Sequence, residues 1–153
     1  LRELYDSVEW PVIVLLGAMM PLGDALEDTG GTAFLAERIA LLQDIAPPWA
    51  MVAVVMIGVM CLSDIVNNAA AALLSAPIAA QIAANMDVSS DPFLMAVAVG
   101  ASCAFLTPIG HQANTLVMGP AGYRFGDYWR LGLPVELLIV ALGVPAILWV
   151  WPL

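Results

Sequence analysis

The chain has 153 residues, of which 62% are hydrophobic and only 11% carry a formal charge. This balance excludes an ordinary soluble domain, in which about a quarter of the residues are charged, and indicates an integral membrane segment. Four arginines, no lysine and a formal net charge of −9 give no support to nucleic-acid binding. The chain opens at Leu1 in what reads as a loop, without a signal-peptide pattern, so we expect it to be the C-terminal part of a larger protein.

Two elements are expected before the main apolar region. Residues 10–23 form an apolar run that opens at Trp10, a residue typical of membrane interfaces, and the run predicts a short span. Residues 32–43 carry apolar side chains at helical spacing, with Glu37 and Arg38 towards the opposite face. This pattern predicts an amphipathic helix at the membrane surface. A continuation of the preceding span is an equally good interpretation.

The longest apolar region, residues 47–84, is interrupted at its middle by a polar cluster. As helices of ~1.5 Å per residue, its two arms would each reach only about 24 Å, whereas the hydrocarbon core of a bilayer measures ~30 Å. Two full crossings therefore fit poorly. The region predicts a re-entrant helical hairpin whose tip lies inside protein or beside a watery cavity. The polar cluster comprises Ser63, Asp64, Asn67 and Asn68.

The ends of the two predicted arms have the chemistry of an ion site. The first arm ends near Ser63 with carbonyl groups that lack helical partners, and these suit a cation. The second arm begins near Asn68 with free N–H groups, which suit an anion. The alternative is a plain helix–helix turn in which Asn67 and Asn68 merely cap the second helix.

A second interruption is expected in residues 92–119. An apolar helix opens at Pro92 and stops at residues 107–114, where Pro108 lacks an N–H group and disfavours helix at the preceding residue. Apolar sequence then resumes. The pattern predicts one helix that is broken near the middle of the membrane.

Residues 131–151 are expected to form the one clear full-length span, which ends in a pair of interfacial tryptophans. Glu136 within it should face protein or reach the interface. Arg124 and Arg130 favour a cytoplasmic connector before the span. We therefore expect a multi-pass protein of the plasma membrane whose C-terminus lies outside.

The two interruptions together indicate a transport site, because half-helices that meet near the bilayer midplane form the substrate and coupling-ion sites of many secondary transporters. Three stretches of the sequence form a further pattern: LSDIVNNAAAALL at 62–74, GASCAFLTP at 100–108 and NTLVMG at 114–119. On these stretches the chain resembles the C-terminal repeat of the divalent anion–sodium symporter family, within the wider ion transporter superfamily.

The resemblance implies an all-α integral membrane fold, half of an inverted-repeat transporter with a re-entrant hairpin and a broken transmembrane helix. It implies a carrier that moves sodium with a dicarboxylate, citrate or sulfate by an elevator-like motion. The expected partners are a small anionic substrate, the lipid bilayer, the N-terminal repeat of the same protein and a second copy in a homodimer. Sodium is the expected coupling ion, and no other cofactor is expected.

The resemblance also implies site residues. The family's Ser-Asn-Thr motif at the hairpin tip falls on Asn67, Asn68 and Ala69, so the central asparagine is kept. Its Thr-Pro-Pro-Asn motif falls on residues 111–114, after Gly110. The substrate-binding candidates are Asn68, Ala69, His111, Gln112 and Asn114. The cation-binding candidates are Ser63, Asn67, Gly110 and Gln112, with sodium expected at Asn67 and Gly110.

Proton coupling is an alternative, with Asp64 and His111 as candidate carriers. Against it, Asp64 is more simply explained by hydrogen bonds to backbone at the turn, and a lone histidine is often a hydrogen-bonded structural residue. The sequence shows no metal-ligand spacing and no catalytic pairing.

The leading functional hypothesis is cation-coupled symport of a small anion such as sulfate or a di- or tricarboxylate. A sodium/proton exchanger or an oxyanion efflux carrier of the same superfamily is the alternative within transporters. A non-transporting membrane sensor or assembly module is the alternative from another class.

Overall fold

The computed structural model describes residues 46–65, 68–108 and 110–153, together with the isolated positions 25, 28 and 29. The three continuous ranges contain helices and no strand. The short span predicted at 10–23 and the surface helix predicted at 32–43 lie outside the described residues. In chain order the elements are α1 Pro48–Ser63, α2 Asn68–Asn85, α3 Asp91–Ala101, α4 Gln112–Ala121, a 3-10 turn Phe125–Asp127 and α5 Tyr128–Val150.

Helices α1 and α2 cover the segment predicted as a hairpin. Helix α1 begins at Pro48, where a missing N–H costs nothing, after Pro47 in extended conformation. Its 16 residues reach about 24 Å, and the 18 residues of α2 reach about 27 Å. Both helices are therefore shorter than the ~30 Å of a bilayer core. The two helices also contact each other.

The core lies between α1, α2 and α3. One face of α1 is buried at helical spacing, and it includes the three methionines Met51, Met56 and Met60, each at most 1% exposed. The three side chains therefore pack in the interior of the protein. Helix α3 supplies the facing side chains, with Phe93 fully buried.

Small residues let α3 approach α1 closely, as is common between membrane helices. A methyl group on Gly100 would lie 2.8 Å from the carbonyl oxygen of Met56 and 3.2 Å from Cβ of Val59. The absence of a side chain at this position therefore sets the distance between the two helices. Because Ala101 ends α3 beside this contact, the same approach brings the end of α3 to the end of α1.

Helix α5 packs against α1 and α3. With the preceding 3-10 turn it forms an apolar helix, Phe125–Val150, and this is the one helix in the described ranges long and apolar enough to cross a membrane. It begins at Tyr128 rather than at the expected Leu131. Glu136 is buried in the protein at 7% exposure, which agrees with the expectation that it faces protein.

Candidate functional site

Four helix ends meet at one place in the structure. The C-terminal ends of α1 and α3 are linked through Ser63, whose Oγ lies 2.8 Å from the carbonyl oxygen of Ala101. The N-terminal end of α2 joins them, because the same Oγ lies 2.8 Å from Oδ1 of Asn68. The chain just before α4 completes the group. Gly110 lies so close to the end of α1 that a methyl group on it would be 3.1 Å from the Ser63 carbonyl oxygen.

Ser63 is completely buried at the centre of these ends. A hydroxyl group has one proton, so Ser63 donates to one of its two neighbours at a time. The residue holds the hairpin tip to the end of α3 in either case. Its backbone carbonyl, the last of α1, faces Gly110.

A second set of contacts joins the hairpin tip to the break between α3 and α4. Oδ1 of Asp64 accepts a hydrogen bond of 2.9 Å from the backbone N–H of Leu106. The Thr107 hydroxyl donates at 2.7 Å to the Asp64 carbonyl oxygen and accepts at 3.2 Å from the N–H of Gly110. Asp64 thus bonds to backbone, as expected, although the backbone belongs to the break and not to its own turn.

The break begins earlier than the sequence pattern predicts. Helix α3 ends at Ala101, whereas the apolar run continues to Leu106. Within residues 102–111 the N–H of Phe105 bonds to Glu136, and that of Leu106 bonds to Asp64. These distant carboxyl groups replace the helical acceptors, so the chain can leave the helix without exposing unpaired N–H groups.

Asn114 holds the other side of the break. Its Nδ2 donates to the carbonyl oxygens of Ala104 at 2.8 Å and of Thr107 at 3.2 Å. The backbone carbonyl oxygen of Asn114 accepts a 2.7 Å hydrogen bond from the Tyr128 hydroxyl. The side-chain donors of Asn114 are therefore engaged in shaping the break.

The structure brings several predicted site residues together and leaves others apart. Ser63, Asn68 and Gly110 lie at the meeting point of the helix ends, and partly exposed Ala69 follows Asn68 in the first turn of α2. His111 is exposed, and its Nδ1 accepts a 3.1 Å bond from the N–H of Ala113, which caps α4. Asn67 lies outside the described residues, as does the side chain of Gln112.

Two contributors were not among the predicted site residues. Thr107 was counted only as part of the break, and Glu136 only as a polar residue in the last span. The signal that could have singled out Glu136 was its acidic side chain inside an otherwise apolar helix.

A cavity of about 340 Å³ lies beside the break. It is bounded by Phe105 and Asn114 on one side and by Tyr128 and Gly132 at the start of α5 on the other. Most of the surface that lines the cavity is apolar.

The meeting point offers two kinds of group to a ligand. The ends of α1 and α3 present carbonyl oxygens with partial negative charge, and oxygen ligands suit hard cations. The start of α2 carries partial positive charge, which suits an anion. At the start of α4, by contrast, the N–H groups of Ala113 and Asn114 already bond to His111. Interrupted helices that point such ends at one place are typical of many secondary membrane transporters.

Comparison with known proteins identifies the family. A family model described as citrate transporter (CitMHS) matches residues 3–152. The chain therefore belongs to the citrate transporter family, a family of membrane transporters, which bears out the resemblance drawn from the motifs.

Three relatives illustrate this membership. The uncharacterized transporter YfbS of Escherichia coli is 38% identical over 99% of the chain. The sodium-dependent dicarboxylate transporter SdcS of Staphylococcus saprophyticus is 26% identical over 98% of it. Sodium/sulfate cotransporter 2 of Chlamydomonas reinhardtii is 28% identical over 88% of it. The chain spans 25%, 29% and 16% of the length of these relatives, respectively.

Proposed function

We propose that the chain is the C-terminal repeat of a secondary active transporter that moves a small anion, sulfate or a di- or tricarboxylate, together with sodium. The observation that carries the proposal is the meeting of four helix ends around Ser63, with Asn68 and Gly110 beside it. The names of two relatives support the same chemistry, since one is a sodium-dependent dicarboxylate transporter and the other a sodium/sulfate cotransporter.

In this proposal sodium binds the carbonyl oxygens at the ends of α1 and α3, with Ser63, Asn67 and Gly110 contributing oxygen atoms. The anion binds at the start of α2, where Asn68 and Ala69 present an amide and N–H groups, with His111 and Gln112 contributing from the start of α4. The sodium charge lowers the cost of bringing an anion to the same place. Binding of each ion therefore favours binding of the other, as symport requires.

The same proposal includes the membrane arrangement. Helices α1 and α2 enter the bilayer and return, while α5 crosses it. The N-terminal repeat of the same protein completes the site from the other side, and two copies form a dimer.

Uptake by the full-length protein in proteoliposomes tests the function. Radiolabelled sulfate, succinate and citrate are offered with an inward sodium gradient, with a proton gradient and with neither. We expect the sodium gradient to raise uptake of at least one anion about tenfold, a factor within the range that coupled binding of two ligands commonly gives. Uptake that follows the proton gradient instead favours coupling through Asp64 or His111, and uptake indifferent to both gradients rejects cation coupling.

A matched pair of variants locates the site. Asn68→Ala removes the amide at the start of α2, whereas Asn85→Ala removes the same group at the end of that helix, where it accepts a bond from Gln81 on the surface. We expect Asn68→Ala to raise the anion concentration for half-maximal uptake about tenfold or to abolish uptake, because a partly buried anion ligand is lost. Asn85→Ala should transport normally. Equal uptake by both variants contradicts the proposed site.

A further inference from the structure

Two buried acids remain after the proposed ion ligands are assigned. Asp64 is 3% exposed and Glu136 is 7% exposed. Acidic side chains inside a membrane protein are costly unless they have specific partners. The hydrogen-bond partners of the two carboxyl groups therefore indicate the role of each acid.

Each acid accepts a hydrogen bond from one of two consecutive backbone N–H groups in the break. Phe105 donates to Oε1 of Glu136 at 3.2 Å, and Leu106 donates to Oδ1 of Asp64 at 2.9 Å. The next residue, Thr107, donates its hydroxyl to the Asp64 carbonyl oxygen at 2.7 Å. Three successive residues are thus held from two sides, by the end of α1 and by α5.

The two acids are also electrostatic neighbours. Oδ2 of Asp64 is buried and has no hydrogen-bond partner among the described residues. Gly132, one turn before Glu136 on α5, lets the helix lie directly against the break, since a methyl group there would overlap the Phe105 carbonyl oxygen. The contact between α5 and the break is therefore close and specific.

We propose that Asp64 and Glu136 are positioning residues that fix residues 105–107 between the hairpin tip and α5, so that α5 belongs to the unit that forms the ion and anion site. This role rests on the proposed function for its effect on transport. The position of the break itself is a property of the fold and can be measured separately.

Labelling of Cys103 measures that position directly. Cys103 lies at the start of the break and is 7% exposed, whereas Cys61 is exposed on α1. In the full-length protein with every other cysteine replaced by serine, the rate at which N-ethylmaleimide labels Cys103 reports how firmly the break is held.

Two substitutions of Glu136 separate positioning from other roles. Glu136→Leu removes the acceptor of the Phe105 N–H, and we expect Cys103 labelling about tenfold faster together with loss of uptake. Glu136→Gln keeps an accepting oxygen and adds N–H groups that can donate a hydrogen bond to Oδ2 of Asp64. It should match the wild type in labelling and in uptake. Leu137→Ala, at an exposed neighbouring position on α5, controls for damage to the helix.

Gly132→Ala displaces the same segment while both acids remain, so it keeps the test valid if Glu136→Leu does not fold. It should also speed Cys103 labelling. A wild-type labelling rate in Glu136→Leu overturns the inference. Where that variant does not fold, a wild-type labelling rate in Gly132→Ala overturns it instead. Loss of uptake in Glu136→Gln with an unchanged labelling rate also overturns it. If even the wild type transports none of the three anions, the proposed function fails, while faster labelling in Glu136→Leu than in Glu136→Gln still supports the positioning role.

Discussion

The contact between α1 and α3 at Gly100 can be tested by adding a single methyl group. In Gly100→Ala this methyl would lie 2.8 Å from the Met56 carbonyl oxygen, whereas ordinary carbon–oxygen contacts begin at about 3.3 Å. A backbone oxygen cannot rotate away, so the helices must separate by about 0.5 Å. Overpacking of this kind costs ~1–3 kcal/mol, and alanine returns up to ~1 kcal/mol of helix propensity. The expected net loss of stability is about 1–2 kcal/mol.

The separation should also reach the candidate site, because Ala101 follows Gly100 and its carbonyl oxygen lies 2.8 Å from Ser63 Oγ. Thermal unfolding of the full-length protein in detergent, followed by the height of the monodisperse size-exclusion peak, measures the stability. Gly58→Ala is the matched control, since Gly58 lies within α1 and a methyl group there meets nothing within 4 Å. That variant should be as stable as the wild type or more stable. Equal melting temperatures for the two variants would refute the reasoning.

Two further substitutions test the break and the core. Thr107→Val keeps the shape but removes the hydroxyl that joins the hairpin tip to the break, so we expect uptake to fall and stability to drop by about 1–2 kcal/mol. Ser102 follows the end of α3, and within the described structure its hydroxyl donates to the Ala98 carbonyl oxygen of that helix. Ser102→Ala should therefore leave uptake unchanged, and a similar loss in both variants would count against a special role for Thr107. Met56→Ala should cost about 2 kcal/mol, the low end for core truncations, because lipid is as apolar as the core and mainly the cavity term remains. Exposed Leu138→Ala should unfold at the wild-type temperature, and a melting temperature of Met56→Ala equal to it would contradict the assigned core.

Local pattern predicted much of the architecture because the relevant signals are short-range. The polar residues that interrupt an apolar run mark the turn after Ser63, and Pro48 marks the start of α1, as Pro92 does for α3. The family followed from three motif stretches, and the match over residues 3–152 confirms it.

The end of α3 could not be predicted in this way. Residues 102–106 continue the apolar composition of the helix, and nothing in their own sequence stops it before Pro108. The chain leaves the helix at Ala101 because carboxyl groups from α5 and from the end of α1 accept the N–H groups of Phe105 and Leu106. Those acceptors are far away in sequence.

The amino-acid sequence by itself determined that this is a helical membrane protein with two interrupted helices, because apolar length, proline and polar interruptions act on neighbouring residues. Only the tertiary structure decided that the interruptions meet around Ser63 and that Glu136 helps to hold the break. The physical reason is that each of these arrangements depends on a hydrogen bond between residues 31 or more positions apart. The partner in such a bond is selected by packing, above all by the close approach that Gly100 and Gly132 allow.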